Sequence, residues 1–177
     1  MAGPRHEPAF REGETGAGDE LTGYAALTVE LGENVLNGDR LAEAAVEALK
    51  VGGASAAHIE IAVAHDAEMH ALNVRWLEHD YTTDVLSFPL GGEGTPWDPL
   101  SGQVIVNPDY AAREAADHQW PPHELAPATR ELMLYVAHGT LHVCGLDDQT
   151  DTQRVEMRRA EAAALAACGI IVPPGHV

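Results

Sequence analysis

Cysteine is scarce in this chain: Cys144 and Cys168 are the only two in 177 residues. That excludes a disulfide framework. Basic residues are scarce too, 10 against 28 acidic, for a net charge of −18. Such a chain has no broad basic face and repels nucleic acid at long range. Any binding to it is expected to be weak and salt-sensitive, which leaves room for delivery by a partner. Arg154, Arg158 and Arg159 do cluster on one predicted helix and read as a solvated face. No run of 18 apolar residues occurs, so no membrane-spanning helix is expected. Residues 1–22 are rich in Gly, Pro and Glu and lack the apolar core of a signal peptide. They read as a disordered tail. The expected compartment is the cytoplasm. Residues 23–177 are long enough for one domain with a real core, and no internal repeat divides them.

What is present is concentrated in one stretch, His138-Gly-Thr-Leu-His142-Val-Cys-Gly145-Leu-Asp147-Asp148. Histidines four apart on a helix lie about 40° apart, so both rings leave one face roughly a turn apart. Gly145 follows, where a helix can stop in the left-handed conformation. The chain can then turn back and offer Asp147 or Asp148 as a third ligand. Three ligands leave a fourth position open for water, which is the catalytic rather than the structural arrangement. Cys144 lies two residues beyond His142, on the opposite side of a helix, and reads as a small buried hydrophobe.

Zinc peptidases with this ligand spacing place Glu, the general base, directly after the first His. Here that position is Gly139, which cannot take a proton. Peptide hydrolysis by that route is disfavoured. A Lewis-acid metal with its own water suits a phosphodiester, whose transition state mainly needs charge neutralisation and a positioned nucleophile.

These residues resemble the signature of the YbeY endoribonuclease family, His-Gly-x-Leu-His-Leu-x-Gly-Tyr-Asp-His. A second block agrees. Leu72-Asn73, Asp80 and Thr83-Asp-Val-Leu-Ser-Phe-Pro89 resemble the family's Leu-Asn…Asp-x-Pro-Thr-Asp-Val-Leu-Ser-Phe-Pro. Gly102-Gln-Val-Ile105 sits where the family has Gly-Asp-Ile-Val. The three blocks keep their order and spacing over roughly residues 25–170. The resemblance implies a metal-dependent endoribonuclease specific for single-stranded RNA, acting in ribosomal RNA maturation and ribosome quality control. Ribosomal RNA and the small ribosomal subunit are the implied partners. The metal would be zinc, Zn(2+), one per chain, held by His138, His142 and Asp148. Asp147 would support a ligand or the water, or else serve the turn.

The departures are specific. The family's third ligand is His, and Asp148 stands at that position; a carboxylate is an acceptable zinc ligand. The arginine thought to assist catalysis follows an aromatic residue in the family, but Trp76 is followed by Leu77. Arg75 is the nearest replacement, although two helical positions differ by about 200° and point it to nearly the opposite face. Gln103 and Thr82 replace the family's Asp and Pro. Two alternatives follow: a catalytically weakened ribosome-associated binding protein, and a metal hydrolase of another substrate class.

The remaining pattern predicts an α+β fold, a small mixed sheet of about four strands packed by four to five helices, with the His-bearing helix central. Strands are expected at residues 26–31, 58–63, 84–88 (stopped by Pro89) and 103–106. Asp39 and Asp66 are expected to cap helices, the first carrying Leu41, Ala44, Ala45, Ala48 and Leu49 on one stripe. The second carries Met69, Leu72 and Trp76, with Trp76 as a core anchor. Asn107-Pro108 starts a short helix to about Ala116. Pro127 opens a long helix that is apolar nearly all round, and Thr150-x-x-Gln153 is a capping box for the last, ending near Gly169. His58, His118 and His123 read as exposed. Trp97, in a turn-rich loop, could either stack on a base or plug the core. The sequence leaves oligomeric state open.

Overall fold

The computed structural model describes residues 27–32 and 35–176. The expected N-terminal tail, residues 1–22, lies outside the described residues. The order of elements is β1 (Leu27–Leu31), α1 (Gly38–Val51), β2 (Ala57–Val63), α2 (Asp66–Leu77), β3 (Val85–Gly91), β4 (Leu100–Val106), α3 (Pro108–Asp117), α4 (Pro127–Val143) and α5 (Asp151–Ala167). The fold is α+β, one four-stranded mixed sheet with five helices, as the pattern predicts.

The strands lie in the order β1-β2-β4-β3. β1, β2 and β4 are mutually parallel, and β3 closes one edge antiparallel to β4. Alternation along the strands divides the two faces. Ile59, Ile61, Val104 and Val106 face α1 and α4 in the main core. Leu86 and Ile105 face the other way, against Met69 of α2. α4 therefore packs on one face of the sheet and α2 on the other. α4 also touches α1, α3 and α5, so the helix bearing both histidines is the central one.

Several boundaries differ from expectation for physical reasons. β3 runs through Pro89 to Gly91, because an edge strand has one side on which a missing N–H costs nothing. β4 starts at Leu100, three residues early. α1 starts at Gly38 after Asn37 in the left-handed region, so Asp39 sits in the first turn rather than at the cap. Likewise His65, not Asp66, precedes α2; Asp66 bonds instead to Asn107 and Arg113. Trp76 is not a core anchor. α2 buries Met69 and Asn73, and Trp76 is left 59% exposed with its ring edge toward Phe88. Trp97 is 95% exposed and plugs nothing. The capping box at Thr150 and Gln153 forms as expected.

Candidate metal centre

α4 delivers the first two candidate ligands from its last two turns. His138 Nε2 and His142 Nε2 lie 3.0 Å apart. The helix ends at Cys144, and Gly145 turns the chain with φ +93°. The Gly145 N–H returns to the His142 carbonyl and the Leu146 N–H to the Leu141 carbonyl. This reversal carries Asp148 back over the histidines, its two carboxylate oxygens 3.9 Å from His138 Nε2 and from His142 Nε2. One donor atom from each of the three lies within 4.8 Å of the others, so the cluster can hold a metal ion. A tetrahedral zinc site with bonds of about 2.0–2.1 Å has ligand–ligand edges of about 3.3 Å, and the observed distances bracket that value.

The tautomers support the same conclusion. His142 Nδ1 lies 2.9 Å from the Leu146 carbonyl oxygen, which can only accept, so Nδ1 carries the proton. His138 Nδ1 lies 2.6 Å from Glu161 Oε1. Burial would raise the Glu161 carboxyl, but hydrogen bonds from His138 and His176 outweigh it and hold the group at about 2. It is therefore a carboxylate, and His138 donates to it. With both Nδ1 atoms donating outward, both Nε2 lone pairs face each other and Asp148. Facing acceptors beside a carboxylate form a site for a cation, and outer hydrogen bonds of this kind fix the orientation of metal-binding imidazoles. Burial favours neutral His138, yet Glu161, with Asp84 and Asp148, raises it above an ordinary histidine.

Asp147 does not bond to either histidine. Its Oδ1 accepts the Asp148 N–H at 2.8 Å, so it shapes the turn that presents Asp148. The structure does not bring Arg75 to the cluster. Arg75 lies exposed on α2, on the far face of the sheet from α4, with its guanidinium 5.2 Å from the Trp76 ring centroid. Gly139 packs against the sheet: a Cβ there would stand 2.8 Å from Val104 Cγ1 and 3.0 Å from Val85 Cγ2. The position that carries a base in zinc peptidases is thus filled by the sheet. Cys144 is half-buried, directed at Gly52 just past the end of α1, with its thiol pushed up to about 11 by burial.

A cavity of about 340 Å³ opens beside His138 and Asp148. Its lining residues include the acidic Asp84, Glu114, Glu131, Asp148 and Glu161 and the basic Arg154 and Arg158. Glu131 is fully buried and accepts from Trp120 Nε1 at 2.7 Å and His118 Nδ1 at 3.0 Å.

The profile of the endoribonuclease YbeY family matches residues 29–169. The chain belongs to that family. It is 40% identical over 133 residues to the endoribonuclease YbeY of Rhodopirellula baltica, covering 75% of this chain and 65% of that one. It is 37% identical over 135 residues to that of Anaeromyxobacter sp. strain Fw109-5, again 75% of this chain and 65% of the relative. The chain thus spans just under two thirds of the length of these two YbeY relatives. The solution structure of TM1509 from Thermotoga maritima aligns with a TM-score of 0.51 at 19% identity, over 80% of this chain and 92% of that one, a likeness of fold.

Around this YbeY-family cluster the structure adds residues that sequence reasoning missed. Glu161 comes from α5, and its Oε2 takes His176 Nε2 at 2.6 Å. His176, near the C-terminus, has no helical spacing to mark it. His118 is exposed, as expected, and also lines the cavity, bonded to Glu131. Of the three α5 arginines read as a solvated face, Arg154 and Arg158 line the cavity as well.

Proposed function

We propose that this chain is a single-metal, zinc-dependent endoribonuclease that cuts single-stranded RNA, with a place in ribosomal RNA maturation and ribosome quality control at the small subunit. The observation that carries the reading is the pair of outward-donating Nδ1 atoms, which commits both Nε2 lone pairs to one point beside Asp148. His138, His142 and Asp148 would hold the ion. When bound, zinc supplies a Lewis acid that polarises a phosphate oxygen and activates water. Glu161 fixes the His138 ring, the Leu146 carbonyl fixes the His142 ring, and Asp147 fixes the Asp148 backbone. Burial of α4 keeps these rotamers from wandering. Gly139 supplies no general base, and this separates the reading from a zinc peptidase. Among the described residues no helix is long and apolar enough to cross a membrane.

The test is cleavage of a single-stranded RNA with added zinc by the wild type and His142→Ala, alongside elemental analysis of both. Zinc-dependent cutting by the wild type alone supports the proposal. Equal cutting by both proteins points to a contaminating nuclease and sinks it. A second reading, a weakened ribosome-associated binding protein, is favoured by one observation: Leu77 replaces the family's arginine, and Arg75 does not reach the cavity. Co-sedimentation with small ribosomal subunits without RNA cleavage would support that reading instead.

A further inference from the structure

We infer that Arg158 is the group that grips the substrate phosphodiester beside the metal centre, where two cavities adjoin. This rests on the endoribonuclease reading and assigns a cation to a chain that carries Leu77 where the family pattern has arginine.

The cavity beside His138 is lined by five carboxylates, a poor environment for a polyanion unless cations stand at defined points. The partners of its charged groups show which cation is available. Glu131 is held by His118 and Trp120, and Glu161 by His138 and His176. Asp84 Oδ1 accepts the Thr83 hydroxyl and the Val85 N–H. Asp148 faces the two histidines. Arg154 is occupied: its Nη1 donates to the Asp148 and Gln149 carbonyls at 3.0 and 2.9 Å, and its Nη2 pairs with Asp151. Among the described residues, Arg158 has no carboxylate partner and no bonded carbonyl, although it stands in a cavity wall rich in acid.

Its position is as informative as its freedom. Arg158 and Glu161 are three apart on α5, hence on one helix face, and Glu161 is the residue that orients His138. Arg158 also lines a second cavity, of about 260 Å³, whose other walls include Leu134, Pro173, Pro174 and Gly175. The two cavities share His118, Leu134, Arg158 and His176. A strand of RNA crossing from one to the other passes the Arg158 guanidinium next to the metal ligands. The second cavity, with its proline wall and little charge, seats the flanking nucleotide. A guanidinium fork matches phosphate oxygens in a bidentate way, and the other one in this cavity, on Arg154, is already bonded.

The experiment compares wild type, Arg158→Ala, Arg158→Lys and Arg159→Ala, the last removing the same charge from the adjacent residue, which lines neither cavity. Two readouts are taken with zinc content measured throughout. The first is kcat/KM for zinc-supported cleavage of single-stranded RNA. The second is anisotropy of a fluorescein-labelled oligouridylate with metal-free, EDTA-treated protein across a salt series. Arg158→Ala is expected to lose about 100-fold in kcat/KM while keeping its zinc. It should also flatten the dependence of log K on log salt by about 0.7, one phosphate contact on a single strand. Arg158→Lys should recover part of both, and Arg159→Ala should stay close to wild type. If Arg158→Ala and Arg159→Ala match in both readouts, the inference is overturned. Loss of zinc together with activity in Arg158→Ala overturns it too, since Arg158 would then be supporting the ligands. If the wild type does not cut RNA, the endoribonuclease reading falls first. The salt series then judges Arg158 alone, and equal slopes overturn it.

Discussion

Glu161 Oε1 on α5 accepts a 2.6 Å hydrogen bond from His138 Nδ1 on α4. It ties the last helix to a candidate ligand ring, as Arg154 of the same helix ties it to the Asp148 backbone. Glu161→Gln keeps the shape but loses the charge, so the imidazole is less firmly oriented and less basic. Changes of this kind cost about 10- to 100-fold in metal affinity. Competition with a chromogenic chelator should show zinc bound that much more weakly by Glu161→Gln. Unchanged affinity would remove Glu161 from the site.

The same pair sets a pH dependence for the metal-free protein. Glu161 is held at about 2 against an ordinary 4.5: burial raises it, but the bonds from His138 and His176 win. A carboxylate lowered in the fold stabilises it above its unfolded value and loses that contribution as pH falls toward the folded one. His138 is raised, despite burial, by Glu161. Its contribution is full below its ordinary value of 6.5 and fades as pH rises through the raised one. The pair therefore stabilises most between about pH 5 and about pH 6. Urea midpoints of EDTA-treated wild type and Glu161→Gln should differ most there and converge toward pH 2 and in alkali.

Gly139 predicts a stability effect with a specific geometry. A methyl group at 2.8 Å from Val104 and 3.0 Å from Val85 must push α4 off the sheet or shift both valines. Overpacking of this kind costs about 1–3 kcal/mol, against which Ala gains about 1 kcal/mol of helix propensity over Gly. Urea denaturation of Gly139→Ala should show a net loss of up to about 2 kcal/mol. Gly139→Glu should fail to fold rather than gain peptidase activity, because the side chain would point into the sheet. A soluble Gly139→Glu variant with wild-type melting would contradict this packing.

The three candidate metal ligands were legible because they are local. A helix spacing, a glycine stop and a short turn fix His138, His142 and Asp148 within eleven residues, before any tertiary contact is considered. Glu161 and His176 were illegible for the opposite reason. Glu161 falls on the buried α5 stripe of Met157, Ala164 and Leu165, but only the packing of α5 on α4 turns that stripe toward His138, and His176 reaches Glu161 from beyond α5 with no periodic signal. The sheet faces were readable from alternation in β2 and β4. Trp76 was misread because a short helix on the outer face of an open sheet buries only part of its apolar stripe. There Asn73 takes the buried position, donating to the Tyr81 carbonyl at 2.8 Å.

Asn107 is a polar junction of the fold and predicts an acid-sensitive effect. Fully buried, it caps α3 by accepting from the Asp109 and Tyr110 N–H groups. Its amide donates to Asp66 at 2.9 Å and to the Thr83 carbonyl at 3.1 Å, next to Asp84 of the cavity wall. Asn107→Ala removes the cap and strands these acceptors, for about 2–3 kcal/mol by urea denaturation. Asp66 is held at about 2, first by Arg113 and then by Asn107, against an ordinary 3.8. Its contribution is present above 3.8 and fades as pH falls toward 2. The same denaturation in Arg113→Ala should show a smaller acid-side loss than the wild type.

Asp148 is where this chain departs from its family's third histidine, and substitution there tests whether the departure still makes a ligand. Its carboxylate is nearly equidistant from both Nε2 atoms, at 3.9 Å, and its backbone is held by Asp147 and Arg154. These bonds do not involve the Asp148 carboxylate, so removing the side chain should cost affinity without moving the turn. Asp148→Ala is expected to lose its zinc on dialysis while keeping the wild-type urea midpoint of the metal-free protein. Asp148→His, which restores the family residue on the same turn, should retain about one zinc per chain. Elemental analysis after dialysis decides it. If Asp148→Ala keeps its zinc, the third ligand is another group, and His138 and His142 alone would remain of the proposed set.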